Sequence, residues 1–505
     1  MLFHEYLLRR FSPGDIILKT TSGVYTKKRI QEETETYVNN LTNLGVTRGD
    51  RIILLVENGF NAICAQLACS AIGSVFIPVS PNEPSARHGA IIEKYTPKLI
   101  LINKDISEYE LSQSIPFLDL RNTHLLERGS QDLCSKESGF SDDEILYIIS
   151  TSGTTGNPKG IMMSHKATIA FFEAIVKHCN LSKYDVIGSI SPLQFDFSLL
   201  DLGLAWGSQA ILSVFSQSLA YTPKKLLREM ERSGVTQMNC VPAIWIALLR
   251  YCKNELFELK KLTSILYAGD KFPLANMEEL WNIFPKLKIV NCFGQSESIA
   301  CTFYDLYADS CLVDTEIPIG NGYEGSKFYI VDDGGNRIME EGIEGELWLS
   351  NDSLFYGYWE NSKLNNEKLI TDPFDQSNKR KVYKTGDIIK KKGNKHLFLG
   401  RKDSQVKVNG NRVELDEIEQ VVARMKGISE VAAIGRQHEN TVNILLYVSY
   451  KGENFVSDDD IRKHCRTHLP IYMVPNEIFI SNCPFPITNN GKVDKKKLSE
   501  LPLIA

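Results

Sequence analysis

The chain carries little charge of either sign in excess. Across 505 residues, 57 Lys+Arg stand against 62 Asp+Glu, a formal charge of −5. That excludes a broad basic field for nucleic acid or an anionic membrane. The small cluster Lys390, Lys391, Lys392 and Lys395 reads as a solvated loop. No CxxC pair occurs among the eleven cysteines, and their odd number fits free thiols in a reducing cytosol better than a disulfide framework. HExxH is missing as well, so His464, Cys465 and His468 do not read as a metal site. No uninterrupted apolar stretch reaches about 18 residues. The opening run from Met1 to Arg10 breaks its apolar positions with charge too early for a secretory signal. These absences describe a soluble, cytoplasmic protein with no repeats and no low-complexity tract.

What is present is enough apolar side chain for large cores: 43% hydrophobic and 10% aromatic residues, with 24% charged. The length predicts at least two domains. Buried-strand runs at Arg51–Val56, Ser74–Val79 and Lys98–Ile102 alternate with helical patterns. One of these, Asn61–Ile72, is rich in small residues suited to packing on a sheet. The expected class is α/β: a large domain over 1–402 and a small α+β domain over 403–505, divided at Lys402/Asp403.

The segment Tyr147–Gly160 is a strand running into a loop dense in Ser, Thr and Gly. Glycines let backbone approach an anion, hydroxyls donate to phosphate oxygens and Lys159 adds a mobile positive charge. It is not a Walker A, because Pro158 stands where the Gly-Lys-Ser/Thr ending is needed. Gly320-Asn-Gly-Tyr-Glu-Gly325 satisfies GxGxxG, yet a strand pattern follows it in place of the helix that a dinucleotide needs.

The phosphate loop resembles the signature of the adenylate-forming superfamily, which holds acyl-CoA synthetases, luciferases and nonribosomal peptide synthetase adenylation domains. Similar stretches follow in order: Gly73–Pro81, Asn291–Glu297, Gly345–Leu349 with Gly357–Trp359, Tyr383–Asp387, Gly400–Glu419, Leu469–Pro475 and Asn490–Asp494. The resemblance covers essentially the whole chain. It implies that ATP and a carboxylate form an acyl-adenylate with release of pyrophosphate, and that the acyl group then passes to a thiol.

Carried over residue by residue, the resemblance places Thr151, Ser152, Gly153, Thr154, Thr155, Gly156 and Lys159 on the phosphates. Ala268, Gly269, Asp270, Asn291, Gly294 and Ser296 fall in the nucleotide pocket, and Phe293 stacks on adenine, where the family more often has Tyr. Asp387 and Arg401 meet the ribose hydroxyls, and Glu297 is the Mg²⁺ ligand, a hard oxygen donor suited to an ion already held by phosphates. Gln295 and Ser296 depart from the usual Pro-Thr pair. Lys492 is the catalytic lysine that offsets charge where carboxylate and α-phosphate meet, and Asp403 is the hinge on which the small domain swings.

Asp196 takes the place of the aspartate that meets the substrate's α-ammonium in amino-acid adenylation domains, since a buried carboxylate is costly without a cation. Its plainer reading is a helix cap before Ser198. Phe197, Leu200, Asn239, Leu266, Ala268, Cys292, Ala300 and Cys301 would complete a lining suited to a compact α-amino acid. Thirteen residues follow Lys492 and no Gly-Gly-x-Ser attachment motif occurs. The expected acceptor is therefore a separate carrier protein, with an acyl- or aryl-CoA ligase as the alternative. D-alanine:carrier-protein ligases are one specific candidate.

Overall fold

The computed structural model describes residues 1–105, 109, 115–121, 141–151, 158–310, 316–375, 380–438, 441–450, 456–483, 485–487 and 493–500. Its large domain is built on two mainly parallel sheets. One has nine strands, parallel in its middle and closed by antiparallel strands at both ends. The other has seven, with the strands Arg51–Leu55, Val75–Pro78 and Leu99–Ile102 side by side and parallel. Apart from Arg51, which opens the first, all three consist of apolar residues, as strands covered on both faces must.

One core joins the two sheets, and the helices Phe60–Ile72, His165–Cys179 and Phe197–Gly207 contribute to it. Every residue from Ala62 to Ser70 is buried. The small side chains of this helix, Ala62, Cys64, Ala65, Ala68 and Cys69, allow that close approach. Gly73 ends it in the left-handed conformation, φ 78°, which costs glycine nothing. A third, antiparallel sheet of six strands carries Glu344–Ser350, Lys381–Lys392 and Lys395–Arg401. The strand Lys327–Val331 follows the GxGxxG stretch, as its pattern predicts.

Arg401 ends the last strand of that sheet and Gln405 opens the next, which belongs to the small domain. There the strands Gln405–Val408 and Asn411–Glu414 form a hairpin. Its two-residue turn is Asn409-Gly410, with φ of 49° and 82°. Positive φ at both positions is what a tight hairpin demands, and Asn-Gly meets the demand best. The helix Leu415–Ala423 and the sheet formed by Ile428–His438, Thr441–Tyr450 and Glu477–Ser481 complete this α+β unit around its own core. No described helix is long and apolar enough to cross a membrane.

Candidate active site

The chemistry-bearing residues gather where strands of the large domain end, and the small-domain hairpin faces them. Thr151 and Lys159 are partners across an antiparallel strand pair, which brings the two ends of the phosphate-type segment side by side. Ser152, Gly153, Thr154, Thr155 and Gly156 lie outside the described residues, as does Lys492. Lys159 Nζ lies 2.7 Å from Glu414 Oε1 on the small-domain hairpin.

Glu297 is fully enclosed. Arg412 Nη1 donates to its Oε2 at 2.7 Å and the Tyr358 hydroxyl donates to its Oε1 at 2.8 Å. Burial by itself would raise the carboxyl pKa, but the Arg412 charge and the two hydrogen bonds outweigh it and hold the group at about 2. The same burial pushes the Tyr358 and Tyr383 hydroxyls well up, so both remain neutral donors. A buried carboxylate already met by a guanidinium is a place that accepts a cation. The donor set fits Mg²⁺: Glu297 would supply one hard oxygen, and phosphates the others.

Asp387 and Arg401 are opposite one another on adjacent strands. Arg401 Nη1 donates to Asp387 Oδ1 at 2.7 Å, while Nε and Nη2 grip both oxygens of Asp403 at 3.0 and 2.6 Å. One guanidinium thus fixes a ribose candidate and the hinge candidate together. Phe293 packs on Phe398 with ring centroids 5.4 Å apart, and Lys407 Nζ stands 5.8 Å from the Phe293 ring. Burial lowers the Lys407 pKa, while Asp387 and Asp270 raise it. The hairpin tip closes on the same place. A Cβ on Gly269 would lie 3.1 Å from the Gly410 carbonyl, so the two backbones touch.

The Asn291 Nδ2 donates to the Pro318 carbonyl at 3.0 Å and so braces the strand end. Asn239, expected in the substrate lining, has its amide engaged within the protein: its Nδ2 donates to Asp201 Oδ1 at 2.8 Å and its Oδ1 accepts from Gln237 Nε2 at 2.9 Å. Asp201 also accepts from Ser189 and Ser191. Burial raises its pKa to about 7 against those three hydrogen bonds. Leu200, Leu266, Cys292, Ala300 and Cys301 are all buried. Phe197 and Ala268 are half-buried beside them.

Asp196 stands at the start of the helix Phe197–Gly207 but does not cap it. Its backbone is already helical, φ −60° and ψ −16°, and a cap needs extended geometry. The Oδ2 atom is buried with no hydrogen-bond partner. Burial raises its pKa to about 6, opposed by the Ser296 hydroxyl. Ser296 therefore faces Asp196. Gln295 is buried too, and neither of its amide atoms has a partner.

Sequence reasoning assigned no role to Arg412, Glu414, Lys407, Tyr358 or Asp201. For the first three a signal existed: Asn409-Gly410 inside an alternating stretch announces a hairpin. Nothing in the sequence says which surface that hairpin meets.

The AMP-binding enzyme family matches residues 10–359, and the AMP-binding enzyme C-terminal domain matches residues 417–492. Zwittermicin A synthase ZmaJ of Bacillus cereus is 30% identical over 99% of this chain and 94% of its own length. Tyrocidine synthase 2 of Brevibacillus parabrevis is 30% identical over 95% of this chain, which spans only 13% of that protein. The crystal structure of IdnL1 superposes with a TM-score of 0.83 at 30% identity, covering 96% of this chain and 99% of that one. A family match over more than half the chain and a relative aligned along nearly its whole length agree with the site's geometry: the chain belongs to the AMP-binding enzymes, the adenylate-forming superfamily, and is an AMP-forming ligase.

Proposed function

We propose that this ligase activates a small to medium α-amino acid as its aminoacyl-adenylate, releasing pyrophosphate, and then loads it onto the phosphopantetheine thiol of a separate carrier protein. The observation that carries the amino-acid reading is the buried, unpartnered Oδ2 of Asp196. An orphaned carboxylate oxygen is costly, and a substrate ammonium would relieve that cost.

In the first step Lys159 and the loop it closes hold the phosphates of ATP, Asp387 and Arg401 hold the ribose, and Phe293 covers the adenine. Glu297 would hold Mg²⁺, which would supply charge neutralisation on the phosphates. Lys492 offsets charge as the substrate carboxylate attacks the α-phosphorus. The new O–P bond forms as the bond to pyrophosphate breaks, and pyrophosphate leaves with the electron pair. The small domain then turns about Asp403. In the second step the thiol attacks the carbonyl carbon of the mixed anhydride, the C–S bond forms, AMP departs with the C–O electrons and the thiol proton goes to solvent. No cysteine of this chain is needed.

An acyl- or aryl-CoA ligase is the second reading. The raised pKa of Asp196 favours it, because a protonated Asp196 asks for no ammonium. Pyrophosphate exchange across L- and D-amino acids and matched amine-free acids separates the two, followed by thioester formation on holo-carriers and on coenzyme A. Exchange with amine-free acids alone, or thioester on coenzyme A alone, would overturn the proposal.

A further inference from the structure

The segment from Phe355 to Trp359 ties two parts of the large-domain site together. Its strand, Gly357–Tyr358, pairs antiparallel with Lys159–Ser164, the strand that leaves the phosphate-type segment. The Tyr356 and Trp359 N–H groups donate to the Met162 and Gly160 carbonyls, each at 2.8 Å. Other attachments go to Glu297: the Phe355 N–H donates to its backbone carbonyl at 2.8 Å, and the Tyr358 hydroxyl donates to its Oε1 at 2.8 Å. The strand Gly357–Tyr358 stands at the edge of the seven-stranded sheet, where outward N–H and C=O groups lack a strand to pair with. At Tyr358 one side chain serves both. Asn365 Oδ1 accepts from the Tyr358 N–H at 2.6 Å, and Asn365 Nδ2 donates to the Tyr358 carbonyl at 3.0 Å. A Cβ on Gly357 would lie 3.0 Å from Asn365 Oδ1, so glycine is what admits the amide this closely.

We propose that Tyr358 and Asn365 are positioning residues for adenylation: Asn365 clamps the backbone of Tyr358, and the Tyr358 hydroxyl holds the Glu297 carboxylate in the orientation that serves a divalent cation beside the phosphates of ATP. The inference rests on the function proposed above, in which Glu297 is the metal ligand. The last torsion of a glutamate side chain is broad and roughly two-fold, so packing alone fixes a carboxylate poorly. A hydroxyl donor on one oxygen fixes its plane and leaves acceptor capacity on both oxygens. Groups that hydrogen-bond a metal-ligating carboxylate set its direction, and their loss weakens the metal. Tyr358 is built for that task. It is buried, its ring packs on Phe355 with centroids 4.8 Å apart, and Phe355 packs in turn on Tyr383 at 5.3 Å. The hydroxyl is therefore held by its own ring. Because the same segment is bonded to the strand that Lys159 opens, the spacing between the lysine assigned to phosphate and the carboxylate assigned to the metal is set through one short strap.

The test measures Mn²⁺ binding to the complex of full-length protein and ATP by electron paramagnetic resonance, beside pyrophosphate exchange as a function of Mg²⁺ concentration. Tyr358→Phe keeps the ring and removes only the hydroxyl. It is expected to weaken Mn²⁺ binding by about tenfold and to raise the Mg²⁺ concentration for half-maximal exchange by a similar factor, while ATP binding measured in EDTA keeps its wild-type affinity. Asn365→Ala moves the same two quantities in the same direction by about threefold or more. In a Glu297→Gln background neither substitution weakens Mn²⁺ binding further, because the group they position is gone. A purely structural role would lower the melting temperature and slow exchange alike at every Mg²⁺ concentration with Mn²⁺ affinity untouched, and that result would overturn the proposal. So would an equal loss of ATP affinity in EDTA, or losses that add to that of Glu297→Gln. If Glu297→Gln binds Mn²⁺ as tightly as the wild type, the metal assignment fails and the proposal with it. If the wild type exchanges only with amine-free acids, the amino-acid reading fails alone, and weakened Mn²⁺ binding in Tyr358→Phe still supports the proposal, because ATP and the metal serve either kind of acid.

Discussion

Arg87 Nη1 donates to Glu417 Oε1, a pair 330 positions apart in sequence. It ties the large-domain helix Ser85–Tyr95 to the small-domain helix Leu415–Ala423. Both side chains are almost wholly buried, and Glu83 Oε2 lies 3.9 Å from Arg87 Nε on the other side. Burial alone would lower the Arg87 pKa, but Glu417 and Glu83 outweigh it and raise it.

Removing one member of such a pair strands the other in a dry interface. Arg87→Met is expected to release the small domain from the large one and leave both folded, because opening returns Glu417 to water. Limited proteolysis should accelerate between Arg401 and Gln405, and thiol transfer should slow more than adenylation. A variant as protease-resistant as the wild type would contradict this.

Gly410 has φ 82°, and a Cβ there would lie 2.4 Å from Val241 Cγ1. Gly410→Ala therefore meets both backbone strain of about 1–2 kcal/mol and a clash with the large domain. Thiol transfer is expected to drop by about tenfold or more, that strain corresponding to about a decade in population, with adenylation less affected. Adding Val241→Ala removes the clash and should recover part of the loss. No recovery would mean that the contact is not what limits docking.

The pH dependence follows from Asp196. Its pKa is about 6 in the folded protein against about 4 in an unfolded chain, so the native state binds the proton more tightly. Below about pH 4 both states are protonated and the residue costs nothing. As pH rises toward 6 the free protein loses stability, and above 6 the loss is complete. Asp196→Asn should consequently stabilise the ligand-free protein at pH 8 and not at pH 4, as thermal unfolding would read out. Amino-acid binding runs the other way, because the ammonium needs the ionised carboxylate. Affinity is expected to weaken about tenfold between pH 7 and pH 5. Affinity that is flat across this range would count against Asp196 as the ammonium partner.

Lys492→Ala is expected to lower pyrophosphate exchange by about 10²-fold or more, the scale for losing one preorganised charge donor, with unchanged circular dichroism. Near-normal adenylate formation would remove Lys492 from the first step.

Asp403→Pro fixes φ at the hinge candidate and removes a carboxylate that Arg401 grips through two nitrogens. Thiol transfer should fall far more than adenylation when the half-reactions are timed separately. Equal losses would place the turning point elsewhere.

The strands at Arg51–Leu55, Val75–Pro78 and Leu99–Ile102 and the small-residue helix between the first two were legible in the sequence, because burial on both faces leaves a local apolar record. The resemblance set Asp387 and Arg401 on the same ribose, but that the two meet each other follows from adjacent strands in register. The hairpin at 405–414 was readable from Asn409-Gly410, since the turn's φ requirement is local. Three features were not readable. Asn239 carries an amide that suits a substrate equally well, and only the fold brings it to Asp201. Asp196 has the sequence of a helix cap, yet its helical backbone turns the carboxylate away from that task. Arg412 and Glu414 look like the polar face of any strand. Their partners lie 115 and 255 residues away on another domain. The sequence alone determines which residues can be buried, where the turns fall and which chemistry is available, because those depend on side-chain type and neighbours along the chain. Which charge meets which is decided only by the tertiary structure, because the low dielectric that makes such pairs matter exists only once the two domains have closed over them.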